Sequence, residues 1–147
     1  MKYVIEVLQP AAWATVSEGT HFEVFGTLKP KDWDRIDYAL LALREGEALP
    51  IAYMTCREVS RDCVYWQFGG SFPEIRGTLA SWAIYKEFIE WARKKYKMVS
   101  TYTANDNYSY LRMALKAGFK IIGTRNVDGE VFVDLNLDFR GKQINGT

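Results

Sequence analysis

The chain has 147 residues, 48% of them hydrophobic and 25% charged, which is the size and composition of one globular domain rather than of a disordered or fibrous chain. Its formal charge of +1 leaves no strongly basic footprint for nucleic acid or an acidic membrane surface. No stretch approaches the roughly 20 apolar residues of a membrane span, and Met1-Lys2-Tyr3-Val4-Ile5-Glu6 lacks the apolar region of a secretion signal, so a cytoplasmic protein with no membrane attachment is expected.

Lys2 to Leu8 alternates and is rich in β-branched residues, which predicts a strand that stops at Pro10. A helix from about Ala11 to Glu18 is expected next. The stretch from Gly19 to Asp34 is irregular, with a second short helix expected around Lys31 to Arg35. It contains the single histidine, His21, which has no Cys or His at metal-ligand spacing, so no metal site is expected. From Ile36 the pattern sharpens. Asp37 to Leu43 reads as a mostly buried strand, Glu45-Gly46-Glu47 as a turn, and Ile51 to Val59 and Cys63 to Phe68 as two further strands about Ser60-Arg61-Asp62. Cys56 and Cys63 are the only cysteines, too few to staple a domain of this size. Thiols in a reducing compartment are expected, although a cross-strand disulfide would suit their hairpin.

Gly77 to Tyr96 is the long helix of the chain, with Leu79, Trp82, Ala83, Ile89 and Ala92 at helical spacing and Arg93-Lys94-Lys95 at its negative pole. Met98 to Thr103 follows as a strand, then a helix from Asn107 to Ala117 closed by Gly118. Phe119 to Val127 and Glu130 to Leu137 pair about Asp128-Gly129, a dipeptide suited to a turn with positive φ at both central residues. Residues 1–139 are expected to form the domain and 140–147 a polar tail. A strand-helix-strand crossover after an antiparallel meander makes the two strands flanking the long helix parallel if they share a sheet. The architecture is therefore mixed α/β, and a ligand is expected outside the carboxyl ends of those strands, at Phe68-Gly69-Gly70 and Tyr102-Thr103.

Two segments at that mouth carry chemistry. In the first, Gly69-Gly70-Ser71-Phe72-Pro73-Glu74-Ile75-Arg76-Gly77-Thr78-Leu79-Ala80-Ser81, a strand ends in two glycines and a helix opens at Arg76-Gly77. Outward amides, the helix dipole and Arg76 would together receive an anion. An ordinary turn before a helix would look the same. The second runs from Asn105-Asp106-Asn107 through Tyr108, Tyr110 and Ala114 to Gly118-Phe119, where Asn107 reads as a cap and Gly118 as a left-handed terminator.

Together these segments resemble the acetyl-CoA motif of the GCN5-related N-acetyltransferases, in which a Pro precedes an Arg-or-Gln, x, x, Gly, x, Gly-or-Ala turn and an Asn opens a later helix ending in Gly-Phe. Ser109 to Met113 is similar to the variant of that helix in members acting on protein N-termini, and degenerate bacteriophage members carry a similar Asn-to-Gly helix. The resemblance covers Ile36 to Leu137 in element order. It implies a mixed sheet of about six or seven strands with about four helices, splayed between the strands Cys63 to Phe68 and Met98 to Thr103. Acetyl-CoA is the implied co-substrate: its pyrophosphate on Arg76, Gly77, Thr78, Leu79, Ala80 and Ser81, its pantetheine beside Asn107, and the carbonyl oxygen on a backbone N–H near Phe68, Gly69 and Gly70. A primary amine would attack the thioester directly. The acceptor could be a protein N-terminus, a lysine or a small amine, and a homodimer is compatible with the resemblance.

Two residues depart from the family pattern. Leu79 stands at the first loop glycine and Ala114 at the tyrosine that protonates the leaving thiolate. Tyr108 and Tyr110 are the candidate catalytic replacements, with Tyr102 behind them and Asp106 or Glu74 as candidates to orient the amine. Tyrosine is frequent, nine in the chain, so a phenol near the mouth can equally be packing. Phe22, Phe25, Trp33 and Phe72 could line an acceptor pocket. A catalytically silent binding or structural module of the same fold, in a phage particle for example, is the alternative that Leu79 and Ala114 favour.

Overall fold

The structure, a computed structural model, describes residues 2–14, 36–72 and 75–140. The rest of the expected first helix, His21, the short helix near Lys31, the aromatic residues Phe22, Phe25 and Trp33, the pair Pro73-Glu74 and the tail at 141–147 lie outside the described residues.

Among the described residues, seven strands form one sheet: β1 (Tyr3–Leu8), β2 (Tyr38–Arg44), β3 (Pro50–Ser60), β4 (Cys63–Ser71), β5 (Met98–Ala104), β6 (Lys120–Val127) and β7 (Glu130–Asp138). Their order across the sheet is β1-β2-β3-β4-β5-β7-β6. The helices are α1 (Leu79–Lys95) and α2 (Tyr108–Ala117), and residues 10–14 are also helical. β4 and β5 pair in parallel, with Cys63 opposite Met98 and Trp66 opposite Thr101, as the crossover through α1 requires. β1 with β2, β2 with β3, β5 with β7 and β6 with β7 are antiparallel. The chain gathers into two compact units, Met1–Arg57 with Gln67–Trp91, and Glu58–Trp66 with Ala92–Thr147.

In the first unit β2 is buried on both faces, which is why its sequence is a continuous apolar run rather than an alternation. Trp13, Ile36, Ala39, Leu41, Leu43 and Tyr53 form a cluster against which Leu8 and Phe72 pack, and the Trp13 and Tyr53 rings lie 5.3 Å apart. Burial pushes the Tyr53 phenol up, so it stays neutral. α1 turns Ile84, Tyr85, Phe88 and Ile89 inward. Leu79, counted in the helical pattern, instead points to solvent at 86% exposure, because it is the first helical residue, ahead of the buried stripe.

In the second unit β5 alternates, with Val99, Thr101 and Thr103 buried and Ser100 and Tyr102 half-buried. Val133, Leu135 and Leu137 of β7 stand opposite Thr103, Thr101 and Val99 and are buried with them. Phe119 lies 6.2 Å from Trp66 across that layer. It is delivered there by the end of α2: Gly118 is left-handed at φ 107°, its N–H donates to the Leu115 carbonyl at 3.1 Å, and the Phe119 N–H donates to Ala114 at 3.0 Å. These paired bonds occupy carbonyls the helix would leave open. Asp128 (φ 51°) and Gly129 (φ 84°) both adopt positive φ, the turn expected from that dipeptide. Cys56 and Cys63 are buried free thiols, so the considered disulfide is not formed. Among the described residues no helix is long and apolar enough to cross a membrane.

Candidate functional site

The anion-turn residues belong to the first unit and differ from expectation at both ends. β4 does not stop at Phe68 but carries Gly69 and Gly70 to Ser71, and α1 opens at Leu79 rather than at Arg76-Gly77. Gly77 explains the second shift. It holds φ +75°, a left-handed conformation that no helix passes through and that favours glycine. Ile75 and Thr78 close successive tight turns onto Phe72 and Ile75, each at 3.1 Å, so the chain spirals before the helix begins.

Thr78 is the residue that starts α1. Its carbonyl accepts from Trp82 N–H at 3.4 Å, and its hydroxyl accepts from Ser81 N–H at 3.4 Å, the arrangement of an N-cap. The amides of Leu79 and Ala80 donate to no acceptor among the described residues and lie at the positive end of the helix. The Leu79 side chain, directed to solvent, does not fill the turn. Arg76 is exposed and folds back, its Nη2 donating to the Ser71 carbonyl at 3.2 Å, which keeps the guanidinium beside the turn. The Ser71 and Ser81 hydroxyls are 3.0 Å apart, tying the end of β4 to the first turn of α1. Ser71 had no sequence signal beyond its place in the glycine-rich stretch.

The glycines of β4 are not equivalent. A Cβ at Gly69 would lie 2.5 Å from Met54 Sδ and 2.8 Å from the Tyr53 carbonyl oxygen. Glycine is therefore required at 69 by the packing of β3, whatever else its amide does.

Asn107, Tyr108 and Tyr110 belong to the second unit. Asn107 caps α2: its Oδ1 accepts from Tyr110 N–H at 3.3 Å and its Nδ2 donates to Thr103 Oγ1 at 3.0 Å. Each end of the amide keeps one further hydrogen-bonding position, so the cap and a ligand contact are compatible. Tyr108 is 68% exposed and Tyr110 half-buried. Ala114 is fully buried, its carbonyl serving the helix terminus.

Two further phenols are ordered by the sheet. Tyr65 of β4 and Tyr102 of β5 stack with centroids 6.0 Å apart and planes 7° from parallel. Phe132 presents its edge to Tyr102 at 5.7 Å, and the Arg125 guanidinium lies 5.2 Å above the Tyr102 ring. Arg125 Nε reaches both carboxylate oxygens of Asp134 at 3.1 and 3.0 Å, and its Nη2 lies 2.9 Å from Oδ1. Burial, then the neighbouring Tyr102 and Asp134, push the Tyr65 phenol up to about 12, against the opposing pull of Arg125. Tyr102 was a sequence candidate. Tyr65 was missed, because only the parallel register of β4 and β5, in which it faces Ser100, brings the two rings together.

No family model matches the sequence, and no curated protein does. Solved structures match over nearly all of it. The ribosomal-protein-S18-alanine N-acetyltransferase of Escherichia coli aligns with TM-score 0.74 at 12% identity, over 94% of each chain. Naa50 of Arabidopsis thaliana, in complex with a bisubstrate analogue, aligns with TM-score 0.73 at 12% identity, over 95% of this chain and 100% of its own. A GNAT family acetyltransferase from Elizabethkingia anophelis with acetyl-CoA bound gives 0.72 at 15%, over 92% and 97%. With its β4-α1-β5 crossover, its α2 ending at Gly118-Phe119 and its terminal β6-β7 hairpin, the chain has the fold of the GCN5-related N-acetyltransferases.

Proposed function

We propose that residues 1–139 act as one acetyl-CoA-dependent N-acetyltransferase domain that transfers the acetyl group to a primary amine by direct attack. The observation that carries this reading is the turn before α1, where the Leu79 and Ala80 amides have no acceptor among the described residues, behind left-handed Gly77 with Arg76 alongside. Neighbours of the same fold supply the context, since one holds acetyl-CoA, another a CoA-peptide conjugate, and a third is a spermidine/spermine N-acetyltransferase.

In this reading the Leu79 and Ala80 amides and Arg76 receive the pyrophosphate, helped by the helix dipole. Gly77 and Thr78 shape the turn, Ser81 ties it to Ser71, and the remaining positions of the Asn107 amide meet the pantetheine arm. Acetyl-CoA supplies an activated thioester, so the protein's task is to align the amine and stabilise the carbonyl oxygen by a backbone N–H at Phe68 to Gly70. The acceptor is a protein N-terminus, a lysine or a small amine. Buried reduced Cys56 and Cys63 suit a cytoplasmic setting.

Calorimetric titration with acetyl-CoA tests the reading. Micromolar binding is expected in the native protein, with at least about a tenfold loss in Arg76→Glu. Absence of heat with the native protein would leave the silent-module alternative, which buried Ala114 at the thiolate-protonating position favours.

A further inference from the structure

The connection between β2 and β3 stands off the sheet. The last cross-strand pair is Leu43 with Pro50, and the register shifts between Ala42 and Leu43. Ile51 is thereby the extra residue of a β-bulge, a device that re-aims a side chain beside a site. Gly46 reverses the chain at φ 85°, the Glu47 N–H closes a turn onto the Arg44 carbonyl at 3.0 Å, and the Glu45 N–H ties that turn to the Lys2 carbonyl at 3.1 Å. On the other side the Phe72 N–H donates to the Ile51 carbonyl at 2.8 Å, which brings the end of β4 alongside. Between these supports lies an open cleft of about 660 Å³, lined by Arg44, Glu47, Leu49, Pro50, Ile51 and Phe72, a size common among small-molecule sites. All six residues belong to the first unit.

The lining is apolar with one ion pair set into it. Leu49 is 78% exposed, apolar surface that the body of a ligand would take out of water. The Arg44 and Glu47 side chains are 30% and 54% exposed, with Nη1 at 3.5 Å from Oε2. Such a long pair, three residues apart on the surface, contributes little. Among the described residues it is the one ionic contact of Arg44, and Nε and Nη2 receive no acceptor there. A guanidinium presents its donors as a flat fork that matches the two oxygens of a carboxylate.

We infer that this cleft is a binding site for a small carboxylic acid with an apolar or aromatic body. The carboxylate meets the Arg44 fork, and the body lies against Leu49, Pro50 and Phe72. Glu47, the more exposed member of the pair, gives way to the ligand's carboxylate. The lining includes neither Arg76 nor the Leu79 and Ala80 amides, and an anion-preferring cleft is not where an amine acceptor would sit. The inference therefore stands apart from the acetyltransferase reading.

The probe is 3-phenylpropionate, and its control is 3-phenylpropanamide, of the same shape without the charge. In an NMR titration of the isotope-labelled full chain, the acid is expected to shift the Leu49, Ile51 and Phe72 amides saturably, with a dissociation constant on the order of 1 mM. The amide is expected to bind at least about tenfold more weakly. Arg44→Gln is expected to erase that difference, and the variant keeps its fold because it loses only a weak surface pair. Glu47→Gln, which removes the competitor for the fork, is expected to bind the acid about twofold tighter or more. No saturable shift at those amides, equal binding of acid and amide, or a difference that survives Arg44→Gln overturns the site. So do shifts that centre on the Leu79 and Ala80 amides and vanish in Arg76→Glu, since the probe would then occupy the turn. A native chain that binds the acid in the cleft but no acetyl-CoA keeps this site and loses the acetyltransferase reading.

Discussion

The side-chain amide of Asn107 reaches in two directions at once, accepting from the backbone of Tyr110 and donating to the hydroxyl of Thr103. It therefore caps α2 and anchors that cap to the end of β5. Asn107→Ala is expected to cost about 1 to 2 kcal/mol. Asn107→Asp keeps an acceptor for the Tyr110 amide, favoured by the helix dipole, and loses only the donor to Thr103. Urea denaturation of both variants should rank Asp between native and Ala, and equal losses would show that the cap itself contributes nothing.

Gly69 and Gly77 are expected to fail differently when changed to alanine. At Gly69 the added methyl would meet Met54 Sδ at 2.5 Å and the Tyr53 carbonyl at 2.8 Å. Met54 can move but the carbonyl cannot without disturbing β3, so a loss of about 2 kcal/mol or more is expected. At Gly77 the added methyl meets no atom of the described residues within 4 Å, and the positive φ is what resists, at about 1 kcal/mol. Thermal melts of the two variants measure the order.

Leu79→Gly separates a steric from a permissive role for the residue that departs from the family motif. Because its side chain is directed to solvent, removing it is expected to change acetyl-CoA affinity by less than about threefold. A tenfold gain by calorimetry would mean that the leucine does narrow the turn. A stability loss of up to about 1 kcal/mol is expected from helix propensity.

Tyr65 makes a pH-dependent contribution whose sign follows from its ionisation. Its phenol is pushed up to about 12 in the folded chain, above the ordinary value near 10. The folded state therefore binds its proton more tightly, and the associated stability is complete below about pH 10 and lost as pH rises toward 12. Denaturant midpoints measured across that window should fall less steeply in Tyr65→Phe than in the native protein, with Tyr53, also raised by burial, accounting for part of the remaining slope. An identical slope would count against the shift.

Much of the fold was legible because its signals are local. The alternation of β5 and β7, the unbroken apolar run of β2, and the Asp128-Gly129 and Gly118 punctuation each express a backbone requirement in one or two residue types. The start of α1 was misplaced by two residues because Arg76 and Gly77 are compatible with a first helical turn, and only the positive φ of Gly77 removes them from it. The amides with no acceptor among the described residues, those of Leu79 and Ala80, fall within the expected turn at 76–81. The Tyr65 cluster was invisible for a different reason: it depends on the registers of β4 with β5, β5 with β7 and β7 with β6, and none of these long-range pairings leaves a mark on the order of residues. Sequence reasoning chose phenols by closeness along the chain, Tyr108 and Tyr110, and had no signal for the stacking of Tyr65 on Tyr102, 37 residues apart in number.

β6 is exposed along all of its length and closes one edge of the sheet, paired through β7 alone and interrupted by a register shift between Ile121 and Gly123. Water can reach it without any breach of the layer formed by Val99, Leu135 and Phe119. Its amides should consequently exchange with deuterium through small excursions of the border, well ahead of those in β7 and β5, which open only when the interior itself comes apart.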